Sequence, residues 1–397
     1  MRFWAALLLA ALPAGAVAQG GEAGSAASPD RWAEFTRLFQ AYADSDRVVG
    51  ASALLLQDGR VVGRHDTGFA DRAAGVRAGE RTIYHWGSIT KTLTAIAIMQ
   101  LRDRGRLSLS DRIVRWVPEL RQVHDPYGMV DSITIRMLLS HSAGFMNPTW
   151  PYDDDAPDWA PFEPTTWQQL VAMMPYQQLH FRPGSRYGYS NPGFIYLARV
   201  IEQLTGDPWD AYIQKNIFAP LGMTASYFRG TPYYLAADRS HNYYVRRDSN
   251  GEVISTDNGA DFDPGITTPN GGWNAPLGDL AKYAAFLTDA VPPGGSPAHY
   301  ATVLGRASLR EMWQAILPMS EGYQAGEGQH IGLSFFLVER GGRQLIGHTG
   351  SQAGFRAFFY FDPDRRSAVI AAFNTTNLVS PTTAAFERLQ RAAQDLL

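Results

Sequence analysis

Residues 85–101 read His85-Trp86-Gly87-Ser88-Ile89-Thr90-Lys91-Thr92-Leu93-Thr94-Ala95-Ile96-Ala97-Ile98-Met99-Gln100-Leu101. Leu93, Ile96, Ala97 and Leu101 recur at the spacing of one helical face. A buried helix is therefore predicted from near Ser88 to about Arg104, where Gly105 stops it. Ser88 and Lys91 are three residues apart, so on that helix the hydroxyl and the amine can touch. A serine hydroxyl at its free pKa is a weak nucleophile and needs a base beside it. Lysine serves only when neutral, and its ordinary pKa of about 10.4 must be lowered by burial or a neighbouring cation. A serine that opens a helix also presents a backbone N–H at the positive end of the helix dipole, where it can hold an oxyanion. By itself the tetrapeptide fits an exposed helix start with a surface lysine equally well.

Working outward, Val48 to Leu56 is strand-like, Asp58-Gly59 is a hairpin turn and Arg60 to Phe69 is the return strand. Before them, Ser28-Pro29 reads as a helix start, and Trp32, Phe35, Leu38, Phe39 and Tyr42 give one apolar face. Strand signals return at Ile331 to Val338, Arg343 to His348, Gly354 to Phe361 and Ser367 to Phe373. Gly341-Gly342, the Gly350 region and Asp362-Pro363-Asp364 separate them, and such short turns favour antiparallel pairing. Thr383 to Leu397 reads as a closing helix. Residues from about 106 to 290 read as helical segments and long loops. The predicted fold is α+β: one antiparallel sheet flanked by helices, with a mostly helical region inserted between its strands.

The N-terminus reads as a secretory signal. Arg2 is the positive n-region, Phe3 to Leu12 the apolar h-region, and Ala16-Val17-Ala18 the cleavage site. Residues 1–18 are thus expected to be removed, 19–30 to form a linker and 31–397 a single domain. The expected location is the periplasm or the exterior, with no stable membrane span after cleavage. The chain has no cysteine, which removes a thiolate nucleophile and a thiolate metal site. Its formal net charge of −3 excludes a phosphate-neutralising nucleic-acid binder. Of 35 basic residues only Lys91, Lys215 and Lys282 are lysine. Arginine cannot lose its proton in a protein whereas a buried lysine can, so these three merit inspection.

Two further constellations carry chemistry. Tyr189-Ser190-Asn191 lies in a loop bounded by Gly188, Pro192 and Gly193. A tyrosine phenol relays protons when nearby cations favour its ionised form, and an asparagine amide both donates to and accepts from a substrate amide. The plain alternative is a turn with a packed tyrosine. His348-Thr349-Gly350-Ser351 ends a predicted strand. Glycine there lets a substrate lie close, and the Ser351 N–H is a candidate second oxyanion donor. The plain alternative is a hairpin turn with a surface histidine.

In the order S-x-x-K, Y-x-N, H-x-G, these motifs resemble the serine β-lactamase and penicillin-binding-protein superfamily. They are nearest its class C-related branch, with its DD-peptidases, D-aminopeptidases and carboxylesterases. The resemblance extends to His85-Trp86-Gly87, to Ile135 through Gly144 and to Gly271-Gly272 with Asp279-Leu280, and covers roughly residues 31 to 376. It implies Ser88 as acylated nucleophile, Lys91 and Tyr189 as general base and acid, and Asn191 as substrate-amide ligand. It also implies substrate contacts from His348, Thr349, Gly350 and Ser351, with the Ser88 and Ser351 N–H groups as oxyanion hole. The expected partner is a small-molecule or peptide substrate, with no metal and no cofactor. His348 stands where many β-lactamases carry lysine, which disfavours an efficient β-lactamase and leaves peptidase and esterase open. His141 is read as packing or a loop hydrogen bond. The run Asp153-Asp154-Asp155, with Asp158 and Glu163, is read as a solvated loop. No G-x-S-x-G elbow, H-E-x-x-H, Walker or dinucleotide motif occurs. Two readings stay open: an acyl-enzyme hydrolase, or a sensor on the same fold that binds without turnover.

Overall fold

A computed structural model describes residues 29–146, 164–291, 297–320, 326, 328–379 and 383–397. The signal and linker expectations, apart from its last residues, and the acidic run 153–163 lie outside the described residues.

Among the described residues, fifteen strands follow one another along the chain. They are β1 Gly50–Gln57, β2 Arg60–Asp71, β3 Val76–Arg77, β4 Ile83–His85, β5 Tyr227–Phe228, β6 Tyr243–Arg247, β7 Val253–Asp257 and β8 Trp273–Pro276. Then come β9 Leu317–Pro318, β10 Gln329–Ile331, β11 Phe336–Arg340, β12 Arg343–Gln352, β13 Phe355–Asp362, β14 Ser367–Phe373 and β15 Thr375–Asn377. The main sheet has nine strands in the order β3-β2-β1-β14-β13-β12-β11-β10-β9, so the N-terminal hairpin pairs with the C-terminal strands through β1 and β14. That is the predicted closure of one antiparallel sheet by the two ends of the chain.

Both faces of this sheet are covered, which is why β13 and β14 read as continuous apolar runs. Alternate residues of one strand face opposite sides. Ala51, Ala53 and Leu55 of β1, with Phe358 and Phe373, pack on Phe35, Phe39 and Tyr42 of the helix Pro29–Ser45 and on Phe386 and Leu389 of the helix Thr383–Asp395. Leu54, Leu56, Phe359 and Ile370 point the other way. They join the larger core around the central helix Thr90–Asp103 and the helix Leu277–Leu287. Each such side chain taken out of water contributes roughly 1.5–3 kcal/mol.

The central helix is buried from Thr90 to Leu101 on every side. Its hydroxyls are therefore tied off: Thr90 donates to Gly87 O at 2.6 Å, Thr92 to Ile89 O at 2.8 Å and Thr94 to Pro269 O at 2.7 Å. The helix ends as predicted, with Gly105 at φ +68°.

Four expectations are corrected. Leu38 is 46% exposed, because it lies at the rim of the stripe formed by Phe35, Phe39 and Tyr42. The predicted strand Ile331 to Val338 is a hairpin, with β10 paired to β11 and a turn through Ser334 at φ +74°. The Gly350 region is not a turn. Strand β12 runs through it to Gln352, and the reversal falls at Ala353-Gly354, whose φ values of +47° and +85° suit a two-residue hairpin. The region 106–290 also contains strands: β5 and β8 form a small sheet with β4, and β6 and β7 form another with β15. Short, partly polar strands such as β6 and β7 give little apolar periodicity to read.

Candidate active site

Strand β4 pairs with β8, His85 opposite Asn274, and delivers the chain into a 3₁₀ turn, Gly87–Ile89. Ser88 sits in this turn, half-buried, two residues before the α-helix begins at Thr90 rather than on it. Strand β12 crosses directly over the turn. A Cβ on Gly350 would lie 2.0 Å from Trp86 O and 3.5 Å from Ser88 N. A Cβ on Gly87, whose φ is +51°, would lie 2.8 Å from Ser351 N. Only glycine at both positions allows this approach, which brings the Ser88 and Ser351 backbone amides to one place. Ser88 keeps partial exposure beside this crossing.

Lys91 is 0% exposed. Its Nζ lies 3.1 Å from Ser88 Oγ, 2.7 Å from Asn191 Oδ1 and 2.9 Å from Asn270 O. Among the described residues no carboxylate pairs with it. Burial pushes its amine well below the ordinary lysine range, since a charged group loses its hydration there. The other two lysines differ: Lys282 pairs with Asp279 at 2.9 Å and Lys215 with Asp207 at 3.7 Å.

Tyr189 is buried, with its ring centroid 4.9 Å from Lys91 Nζ. Asn191 precedes the helix Pro192–Thr205, and Pro192 at the first helical position fixes the direction in which that helix leaves the turn. His348 is 0% exposed, not a surface histidine. Its ring stacks on Phe336 at 4.2 Å, and its Nδ1–H donates to Thr349 O at 2.6 Å. Burial pushes its pKa down to about 3, so the imidazole is neutral. Thr349 is buried opposite Phe358, and Ser351 is exposed opposite Arg356.

The structure thus brings Ser88, Lys91, Tyr189, Asn191 and the strand 348–351 to one site from three separate parts of the chain. Sequence reading missed the Asn270 carbonyl, whose only signal is the Gly271-Gly272 pair beside it, and Gly87 as partner of Gly350. One group among the described residues has metal-like composition: Asp71, His241 and Asp257, with ligand atoms within 4.8 Å of one another. Both imidazole nitrogens of His241 already face carboxylates, at 2.9 Å and 3.6 Å, an arrangement that needs no ion.

A buried lysine against a serine, under a strand that offers a second amide, on this sheet-and-helix frame, defines the β-lactamase-related class. The family model Beta-lactamase matches residues 35–394, and the chain belongs to that family. Protein flp of Staphylococcus aureus (strain COL) is 30% identical over 186 residues, which are 47% of this chain and 36% of flp. Esterase EstB of Burkholderia gladioli is 34% identical over 189 residues, 45% of this chain and 46% of EstB. The matched stretch is therefore less than half of either relative. A class C β-lactamase superposes with a TM-score of 0.71 over 92% of this chain and 96% of its own, at 17% identity, a likeness of fold.

Proposed function

We propose that this chain is a serine hydrolase that forms an acyl-enzyme at Ser88 on ester or amide carbonyls. The observation that carries it is the hydrogen bonding of Lys91. A neutral amine has two N–H groups and one lone pair. Asn191 Oδ1 and Asn270 O can only accept, so they take the two N–H groups. The lone pair is left for the third neighbour, the Ser88 hydroxyl. That is the arrangement a general base requires.

In acylation the Ser88 proton passes to Lys91 as Oγ bonds to the carbonyl carbon. The oxyanion forms between the Ser88 and Ser351 N–H groups, each such donor contributing about 2.7–4 kcal/mol. The proton then leaves through the Tyr189 phenol to the departing oxygen or nitrogen. Water enters, gives a proton back along the same route, and frees the acyl group as an acid while Ser88 regains its hydrogen. Asn191, with its oxygen engaged by Lys91, presents its NH₂ as a donor to the substrate.

His348 supports an uncharged group beside the scissile bond, because a buried neutral imidazole offers no cation to a carboxylate. Esters and amides without an adjacent carboxylate are therefore placed ahead of β-lactams. The signal-like residues 1–18 support export as part of the same proposal.

The experiment is a panel of p-nitrophenyl esters, D-alanyl peptides and nitrocefin, together with fluorophosphonate labelling and peptide mapping. The expected result is turnover of a neutral ester and label on Ser88, both lost in Ser88→Ala. Label that persists on Ser88 without turnover of any acyl donor would instead favour the sensor reading.

A further inference from the structure

His141 is buried, yet no step above uses it. It sits at φ +52°, a conformation rare for a residue with a side chain. Three contacts run from it to the turn that carries Tyr189. Its carbonyl accepts the Gly188 N–H at 2.8 Å, and its Nδ1 accepts the Ser190 N–H at 3.0 Å. These two bonds fix the residues on either side of Tyr189. Its ring also stacks on the Tyr189 ring, with centroids 4.5 Å apart and planes 26° from parallel. Further support comes from the adjacent Ser142 carbonyl, which accepts the Gly184 N–H at 2.7 Å and holds the same loop upstream.

We infer that His141 is the positioning residue for Tyr189, setting the phenol against Lys91 and the leaving group. The residue type follows from the three tasks. The backbone must be left-handed, a planar ring must lie on the tyrosine, and an unprotonated acceptor must stand at the δ position. Nδ1 accepts, so the ring proton is on Nε2. Burial holds the imidazole well below its ordinary pKa, so Nδ1 keeps its lone pair for the Ser190 N–H. Asparagine would supply the left-handed backbone and a δ oxygen but no ring. Alanine would supply none of the three.

This inference rests on the proposed role of Tyr189. It is tested by a cycle of His141→Ala, His141→Asn, Tyr189→Phe and the corresponding doubles, with kcat and KM measured on a neutral p-nitrophenyl ester. A misplacement of about an ångström costs roughly 10²-fold. H141A is therefore expected to lower kcat by about that factor with KM within about twofold, and H141N to recover about tenfold of the loss. In the Y189F background H141A should change kcat by less than about threefold, because residues acting as one unit are not additive. Full additivity, or H141N no better than H141A, overturns the inference. Should H141A not fold, the H141N/Y189F cycle carries the same test. Additive losses with Y189F impaired refute His141 alone, whereas an unimpaired Y189F enzyme refutes the role of Tyr189 beneath it.

Discussion

Lys91 lies on a helix whose residues from Thr90 to Leu101 are all buried, whereas Tyr189 lies on a turn that His141 holds from three sides. The first arrangement is set by the hydrophobic core. Moving Lys91 would mean moving the largest apolar cluster among the described residues. The second is set by a few hydrogen bonds and one ring stack, each worth about 0.5–1.5 kcal/mol. The base is thus placed by bulk packing and the proton relay by specific contacts. Substitutions on the two sides should fail differently.

The largest effect is expected at Ser88. Ser88→Ala should reduce kcat by about 10⁴-fold or more while leaving the melting temperature nearly unchanged, since the side chain is half-buried and packs little. Kinetics and thermal melts on the same sample check both halves. Lys91→Met should lower kcat by about 10²–10⁴-fold, the contribution of a positioned base. Gly350→Ala should lower kcat by about 10²–10³-fold, by forcing β12 off the Ser88 turn and displacing the Ser351 donor. Unlike Ser88→Ala it should also lower the melting temperature, because its Cβ meets the Trp86 backbone carbonyl.

Stability should also report the state of Lys91. In the unfolded chain the amine regains its ordinary pKa of about 10.4 and carries a proton that the folded chain lacks. Unfolding then takes up a proton between the folded pKa and about 10.4. Stability rises with pH across that window, by up to about 1.4 kcal/mol per pH unit. Denaturant melts of the wild type and Lys91→Met over this range should differ by that slope, and equal slopes would contradict it. The smallest effect belongs to the surface lysine: Lys215→Ala, in an exposed pair with Asp207, should cost less than about 1 kcal/mol and leave kcat alone.

The same contrast explains what could be read from the residues. Ser88 and Lys91 were legible together because one helical turn relates them, and β1, β13 and β14 because their apolar runs are long. Tyr189, Asn191 and the strand 348–351 were legible as motifs, but their convergence depends on tertiary packing. Three features were not legible. The Asn270 carbonyl is a backbone group, and any residue type supplies one. His141 carries no pattern that separates a core histidine from a positioning one. The extension of β12 through Gly350 ran against the ordinary reading of glycine as a turn, since here glycine admits a neighbouring backbone at 2.0 Å.

The chain has three lysines, so its lysine ε-methylene NMR spectrum has three signals to follow. A titration of ¹³Cε shifts, with Lys91 assigned through Lys91→Met, reads the charge of the amine beside Ser88. The account predicts that Lys91 titrates well below the ordinary lysine range, as its burial requires. A Lys91 signal that titrates at the ordinary lysine value of about 10.4 would leave Ser88 without its base and contradict the account.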